Sequence, residues 1–435
     1  MRRFLDSLRS LEMTRLWECV CNLKRLDKLE FEGRFVMDFC EIVKSLGMEV
    51  YPEGMEFFYK EVTAGAKPLF DRSLIDRQNE RNLFGQYYEA VVQGYEDLLT
   101  KETAYLYAQT AALYLQNATQ DEAKKIPLPE PDGTPALDML PLMIELPMAD
   151  RGIRELIRRG YTPEDAEKAI VRVFSGDIAV NVRRHGRPGL DKLYFNWITL
   201  YLYALIFPCG GFRFNLATST KFHYVLKNKQ TQEVAVLLHD RQIHKSGEIL
   251  GSAGLSDEEG AFYAEFTETD TEYTGYATDG KGYVQGALCR YPKSQWEIAV
   301  APGDNIIALH LPGGMKLSRE ITIQAVKDAF LHAKKYYPDY APKAIHCGSW
   351  LLNPELHEFL GEGSNIAAFA SLFHLHPTKC NGQGVFNFVF KTSVNPDLAT
   401  LPEDTRLQRW LKAKYLSGGF NRNFGGFILP QDIDE

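Results

Sequence analysis

The chain has 435 residues, too many for one ordinary hydrophobic core, so two domains are expected. Hydrophobic residues make up 45% and charged residues 24%, the balance of a globular protein. A net charge of -8 argues against nucleic acid as a partner, because that binding needs a basic face that displaces counterions.

In chain order, Arg2 and Arg3 open the sequence, but Asp6, Arg9 and Glu12 interrupt the apolar stretch of a signal peptide. Leu5, Leu8, Leu11 and Leu16 recur at helical spacing, as do Tyr107, Ala111, Tyr114 and Leu115. Residues 1–123 therefore read as a helical domain, packed as a bundle or layer. Residues 124–149 carry Pro127, Pro129, Pro131, Pro135, Pro141 and Pro147, with Asp132-Gly133 as a turn. Proline at that density opposes a continuing helix, and the segment reads as a partly extended linker on the surface. Residues 150–435 form the second domain. It begins with helices at 151–159 and 162–174, the latter opened by Thr162-Pro163-Glu164-Asp165 as cap, first-position proline and acidic first turn. Arg183, Arg184 and Arg187 make a local basic cluster, either a solvated loop or a phosphate site. A further helix is expected over 191–207. The apolar run 198–209 is too short to span a bilayer and contains Pro208, so no membrane span is expected.

The period then changes. Alternating or short apolar runs at 212–216, 233–238, 262–266, 283–288 and 296–301, separated by Gly and Asp turns, predict an antiparallel sheet. Ile306 to Leu311 is nearly continuous in apolar character, the mark of a central strand buried on both faces. Pro312-Gly313-Gly314 ends it. Ser318 is placed to cap a helix to about Tyr337, with Ile323, Val326, Phe330, Ala333 and Tyr337 on one face. A strand at 343–347 follows, then a helix from Asn353-Pro354 to Leu360, and strands at 367–374 and 385–390. The helical crossover makes the first two strands of this segment parallel neighbours.

Seven scattered cysteines include no CxxC pair, which sets aside a zinc ribbon and a redox motif and points to a reducing, cytoplasmic compartment. His374 and His376 share a strand face but lack a clear third ligand, so no metal is expected. No Gly-x-Ser-x-Gly elbow appears.

Ala308-Leu309-His310-Leu311-Pro312-Gly313-Gly314, Ser349-Trp350-Leu351-Leu352, Ser364-Asn365-Ile366, Thr405-Arg406-Leu407-Gln408-Arg409 with Gly418-Gly419, and Gly186 to Trp197 resemble a bacterial family of two-domain acyltransferase-domain proteins. Its members pair a helical N-acyltransferase N-terminal domain with a GNAT-like C-terminal domain. The resemblance implies an α+β fold: helices first, then a mixed sheet with flanking helices that splays between its two central parallel strands. It implies acyl-CoA as cosubstrate, lying in that splay. Its pantetheine arm would run along Leu309 and Leu311, and its pyrophosphate would meet Gly313, Gly314, Lys316 and Ser318. The acceptor would be an amine of a small molecule or peptide. Well-characterised members of the wider superfamily carry an Arg-x-x-Gly-x-Gly type of loop, where this chain has Gly313-Gly314-Met315-Lys316-Leu317-Ser318.

Histidine titrates near neutrality, so His310 is suited to take a proton from that amine; the alternative is a hydrogen-bonded core histidine. Ser349 is suited to donate to the thioester oxygen or thiolate. Trp350 is either a wall of the acyl pocket or a packing residue. Asn365 either binds substrate or closes a turn. Cys347 reads as a buried structural thiol. The alternative to an N-acyltransferase is a non-catalytic GNAT-like module that binds a ligand or regulates.

Overall fold

The computed structural model describes residues 37–312, 315, 317–361, 363–392 and 396–433. The expected helix through Leu5 to Leu16, and Gly313, Gly314 and Lys316 of the glycine loop, lie outside the described residues. Among the described residues ten helices come first: α1 (Phe39–Ser45), α2 (Met55–Thr63), α3 (Arg72–Glu80), α4 (Tyr88–Leu99), α5 (Glu102–Asn117), α6 (Gln120–Ala123), α7 (Pro135–Glu145), α8 (Ala149–Arg158), α9 (Pro163–His185) and α10 (Lys192–Leu202). Fourteen strands and four helices follow: β1 (Ile206–Cys209), β2 (Phe212–Thr218), β3 (His223–Asn228), β4 (Val234–Leu238), β5 (Arg241–Ile243), β6 (Phe262–Ala264), β7 (Thr267–Glu268), β8 (Glu272–Ala277), β9 (Cys289–Pro292), β10 (Trp296–Val300), β11 (Asn305–His310), α11 (Arg319–Tyr336), β12 (Ile345–Ser349), α12 (Pro354–Leu360), α13 (Asn365–Ala370), β13 (His374–Pro377), α14 (Arg406–Leu416) and β14 (Phe424–Ile428). The architecture is the expected α+β one.

The proline-rich segment is not an extended linker. Pro135 takes the first position of α7, where its missing N–H costs nothing, and Pro141 is accommodated inside the helix. Met139, Leu140, Leu142, Met143 and Ile144 are all buried there, and packing this apolar run outweighs the propensity against helix. The helices expected to open the second domain also lie elsewhere. Leu156 of α8, Ile170 and Phe174 of α9, and Phe195 and Ile198 of α10 share one core with Phe39, Phe84 and Tyr107. That core ends at Ile206. The expected helix over 191–207 accordingly stops at Leu202, and its last residues become β1.

The main sheet has the order β1-β2-β11-β12-β14-β13, and a second runs β10-β3-β4-β8-β7. One face of the main sheet receives α11: Ile307, Leu309, Ile345 and Cys347 pack with Ala325, Val326 and Ala329. Each such branched side chain contributes about 1.5–3 kcal/mol on burial. The other face meets the second sheet, where Ile306 and Phe427 pack with Val225, Val236 and Val300. Arg422 ties the layers, donating from Nε and Nη2 to Glu248 at 2.6 and 2.8 Å.

Three expected strands differ. Residues 283–288 hold only the bridge Thr278–Val284. Residues 367–370 belong to α13, because Ser364 caps a run of small residues suited to helix. Residues 386–390 form one π-helical turn whose Phe386 and Phe390 join a C-terminal cluster with Leu411 and Tyr415. There, tertiary packing overrides the β propensity of phenylalanine.

Candidate functional site

Strands β11 and β12 are parallel neighbours joined by α11, as expected. Their pairing covers only Ile307 with Ile345 and Ala308 with His346. Beyond those residues β11 stays paired to β2 as far as His310 opposite Arg213. Likewise β12 stays paired to β14 as far as Ser349 opposite Phe424. Each strand keeps its outer partner while losing the inner one. The sheet therefore splays in a wedge flanked by Leu309–His310 and Cys347–Ser349, whose facing main-chain edges are left free of each other.

Side chains alternate across a strand, so the wedge has two different faces. On the α11 side lie Leu309 and Cys347, both buried, with Leu317 just before the helix. Burial pushes the Cys347 thiol up to about 12, the behaviour of an inert core residue. The other face carries Arg213, Asn215, Ala308 and His310, and looks toward the helical half. There the Trp197 ring meets the His310 ring edge-on, with centroids 4.8 Å apart. Gly348, across the wedge from His310, faces open space: nothing lies within 4 Å of where a Cβ would sit.

His310 is oriented by Asn215. The Asn215 Nδ2 donates to the Leu216 carbonyl at 2.9 Å, which turns its Oδ1 toward the imidazole. His310 Nε2–H then donates to that Oδ1, so Nδ1 carries the lone pair. Burial lowers the imidazole to about 4, keeping it neutral at physiological pH.

Three more histidines form a second group beside the wedge. His346 and His376 approach Nε2 to Nε2 at 3.1 Å, and the His223 and His376 rings are 4.0 Å apart. His376 Nδ1–H donates to the Pro377 carbonyl, so His376 Nε2 accepts from His346 Nε2–H. Burial lowers all three: His223 to about 3, His346 to about 4, and His376 well below its usual value. They form a neutral, packed wall between the sheets. Among the described residues, no group of three or more His, Cys, Asp or Glu side chains is placed to hold a metal ion.

The remaining expected site residues are dispersed. Ser318 caps α11, its Oγ accepting from Ile321 N at 3.2 Å. Leu311 is half-buried against the α11 core. Ser349 ends β12, where its Oγ accepts from Leu351 N at 3.1 Å and its own hydroxyl proton stays free to donate. Trp350 packs on the cluster of Val385, Phe386 and Leu411 instead of walling the wedge. Asn365 is exposed at the start of α13, and the cap is its neighbour Ser364. His357 bonds the Leu351 carbonyl at 2.7 Å. In the basic cluster Arg184 pairs with Asp191 at 2.6 Å and Arg187 with Asp138, while Arg183 is exposed in the last turn of α9. Two cavities, of about 260 Å³ beside Lys192 and about 140 Å³ beside Gln109, both lie in the helical half, away from the wedge.

Sequence reasoning missed Trp197, Arg213 and Asn215. The alternation Phe212-Arg213-Phe214-Asn215 held the signal: its two polar residues share a face with His310 once β2 pairs with β11.

A family model described as the GNAT-like C-terminal domain matches residues 206–428, just over half of the chain. Among solved structures, an acyltransferase in complex with decanoyl-CoA aligns with a TM-score of 0.60 and 16% identity, over 91% of this chain and 100% of that one. An acyltransferase in complex with decanoyl-CoA and teicoplanin gives 0.57 and 16%, over 90% and 99%. A mutant acyltransferase in complex with octanoyl-CoA gives 0.57 and 17%, over 91% and 100%. At these identities the likeness is one of fold, and it extends through the helical half. No curated protein matches the chain.

Proposed function

The chain belongs to the GNAT-like C-terminal domain family, and from that premise we propose that it transfers an acyl group from acyl-CoA to an amine of a small molecule or peptide. The observation that carries this reading is the early end of pairing between β11 and β12, with both outer ladders intact. An extended thioester arm satisfies such free strand edges as a further strand does. The solved structures of the same fold hold CoA, octanoyl-CoA or decanoyl-CoA, which supports the donor.

In this reading the arm runs along Leu309 and Leu311 on one side and Cys347 to Ser349 on the other. The pyrophosphate meets the segment of Gly313, Gly314 and Lys316 that leads to Ser318 and the first turn of α11, where main-chain N–H groups favour an anion. The amine nitrogen attacks the thioester carbonyl carbon. The main-chain N–H group at Leu311 stabilises the oxyanion. His310 Nδ1 receives the proton that the nitrogen sheds, the C–S bond breaks, and the Ser349 hydroxyl donates to the departing thiolate.

Calorimetry with CoA, acetyl-CoA and decanoyl-CoA, followed by thiol release with an amine panel, tests the proposal. Micromolar binding, about -8 kcal/mol, is the expected result. No binding at millimolar ligand overturns it. Binding without transfer to any amine favours a non-catalytic ligand-binding module instead.

A further inference from the structure

Arg213 stands opposite His310 in the β2–β11 register, on the face that looks toward the helical half. Opposed residues in an antiparallel pair have Cα atoms roughly 4.5–5.5 Å apart and side chains on the same side. Arg213 is half-buried and remains partly open to solvent. Its Nη1 donates to the Phe212 carbonyl at 3.2 Å, and the guanidinium also hydrogen-bonds Tyr201, with its charge felt at Tyr161. Burial raises both phenols, and the Arg213 charge pulls each part of the way back. Among the described residues no carboxylate pairs with it, whereas Arg184, Arg187 and Arg422 all have one. Apart from the Phe212 carbonyl and the Tyr201 hydroxyl, its N–H donors have no partner among the described residues, in a partly dry, aromatic setting where a guanidinium binds a planar anion by two parallel hydrogen bonds.

Resting on the acyl-transfer reading above, we propose that Arg213 binds a carboxylate of the acceptor, and that the acceptor is an amino acid or short peptide whose reacting amine sits at His310. The shared anion chemistry has a second source, the phosphates of CoA. The faces favour the acceptor: Arg213 is on the His310 side of the sheet, while Leu317 and α11, which lead from the proposed pyrophosphate segment, pack on the opposite side.

The test compares L-phenylalanine with phenethylamine, the same amine without its carboxylate, using decanoyl-CoA as donor and thiol release as readout. Wild type is expected to prefer phenylalanine by tenfold or more in kcat/KM. Arg213→Gln is expected to bring that ratio near one, and Arg213→Lys, which keeps a point charge but loses the fork, to restore part of it. Decanoyl-CoA affinity, measured on the same variants, reports folding and the donor site. Equal use of the two amines by wild type overturns the proposal, as does a preference that survives Arg213→Gln. A fall in CoA affinity with the preference intact assigns Arg213 to the donor phosphates and also overturns it. Decanoyl-CoA binding with no transfer to either amine removes this acceptor class. Failure to bind decanoyl-CoA at all sinks instead the acyltransferase reading beneath it.

Discussion

Gly348 of β12 and Gly425 of β14 are opposed in register, and the structure assigns them opposite tolerances. At Gly425 an added Cβ would lie 2.6 Å from His376 Nε2 and 3.0 Å from His346 Nε2. Those rings are held 3.1 Å from each other, and His376, the nearer, is fully buried and has no room to yield. Gly425→Ala is an overpacking change and is expected to cost about 1–3 kcal/mol. At Gly348 nothing lies within 4 Å of the same atom. Removing a strand glycine there is expected to leave stability unchanged or raise it by about 0.5–1 kcal/mol. The branched side chain of Gly348→Ile would nevertheless fill the wedge opposite His310. Acyl-CoA affinity is expected to fall at least tenfold, about 1.4 kcal/mol. Urea denaturation and calorimetry on the two variants separate the effects: Gly425→Ala loses stability, and Gly348→Ile loses ligand while staying folded. A stable Gly348→Ile that binds decanoyl-CoA as wild type does would refute the wedge as the donor site.

Three further outcomes follow from individual side chains. Because burial holds His310 neutral down to about pH 4, kcat/KM corrected for the fraction of neutral amine is expected to fall only near pH 4; Asn215→Asp places a negative charge on Nε2–H and should move that limb up by about 1–2 pH units. A pH profile of the variant that overlies wild type removes Asn215 as the positioning residue. Glu145 is fully buried with neither carboxylate oxygen hydrogen-bonded, and burial, with Asp177 nearby, raises it well above the usual range. A carboxyl raised on folding penalises the folded state above its unfolded pKa and is relieved as pH falls, so Glu145→Gln should gain more stability at pH 8 than at pH 5. Glu248→Gln leaves the Arg422 guanidinium buried beside a neutral amide, and a loss of about 3–5 kcal/mol is expected by chemical denaturation.

The parts of the fold legible in the sequence are those where local pattern and tertiary environment agree. The apolar run at 306–311, the capped helix after Ser318 and the parallel strand beyond it all stand where expected, because the period, the cap and the crossover rule point the same way. The proline segment departs from its expectation because the apolar residues between its prolines drive α7 into the core. The boundary between the halves failed for a related reason: the amphipathic period of α8 to α10 reveals a buried face but not which core receives it. Within the site, His310 was legible as a histidine on a central strand. Its orientation depends on Asn215, 95 residues away in sequence, and only strand pairing makes them neighbours. Trp350 and Asn365 illustrate the converse, since chemistry-bearing residue types near a motif can be spent on packing and on the surface.

The low basicity of His310 constrains how any proton leaves the acceptor. An alkyl ammonium titrates near 10.4, so handing its proton to an imidazole at about 4 is uphill by roughly 6 units, or about 8 kcal/mol. Complete deprotonation of the ammonium by His310 before attack would add most of that to the barrier. A neutral amine changes the balance, because its nitrogen becomes far more acidic once it bonds to the carbonyl carbon. A weak, neutral base fixed at Nδ1 is suited to that moment and to no earlier one. The same dry surroundings that lower His310 disfavour a charged ammonium and shift the bound amine toward its neutral form. Trp197 and the buried Asn215 supply that dryness, one from the helical half and one from the sheet. On the proposed mechanism the base is therefore completed only where the two halves meet, which gives the helical half a direct part in setting the acid–base properties of the wedge.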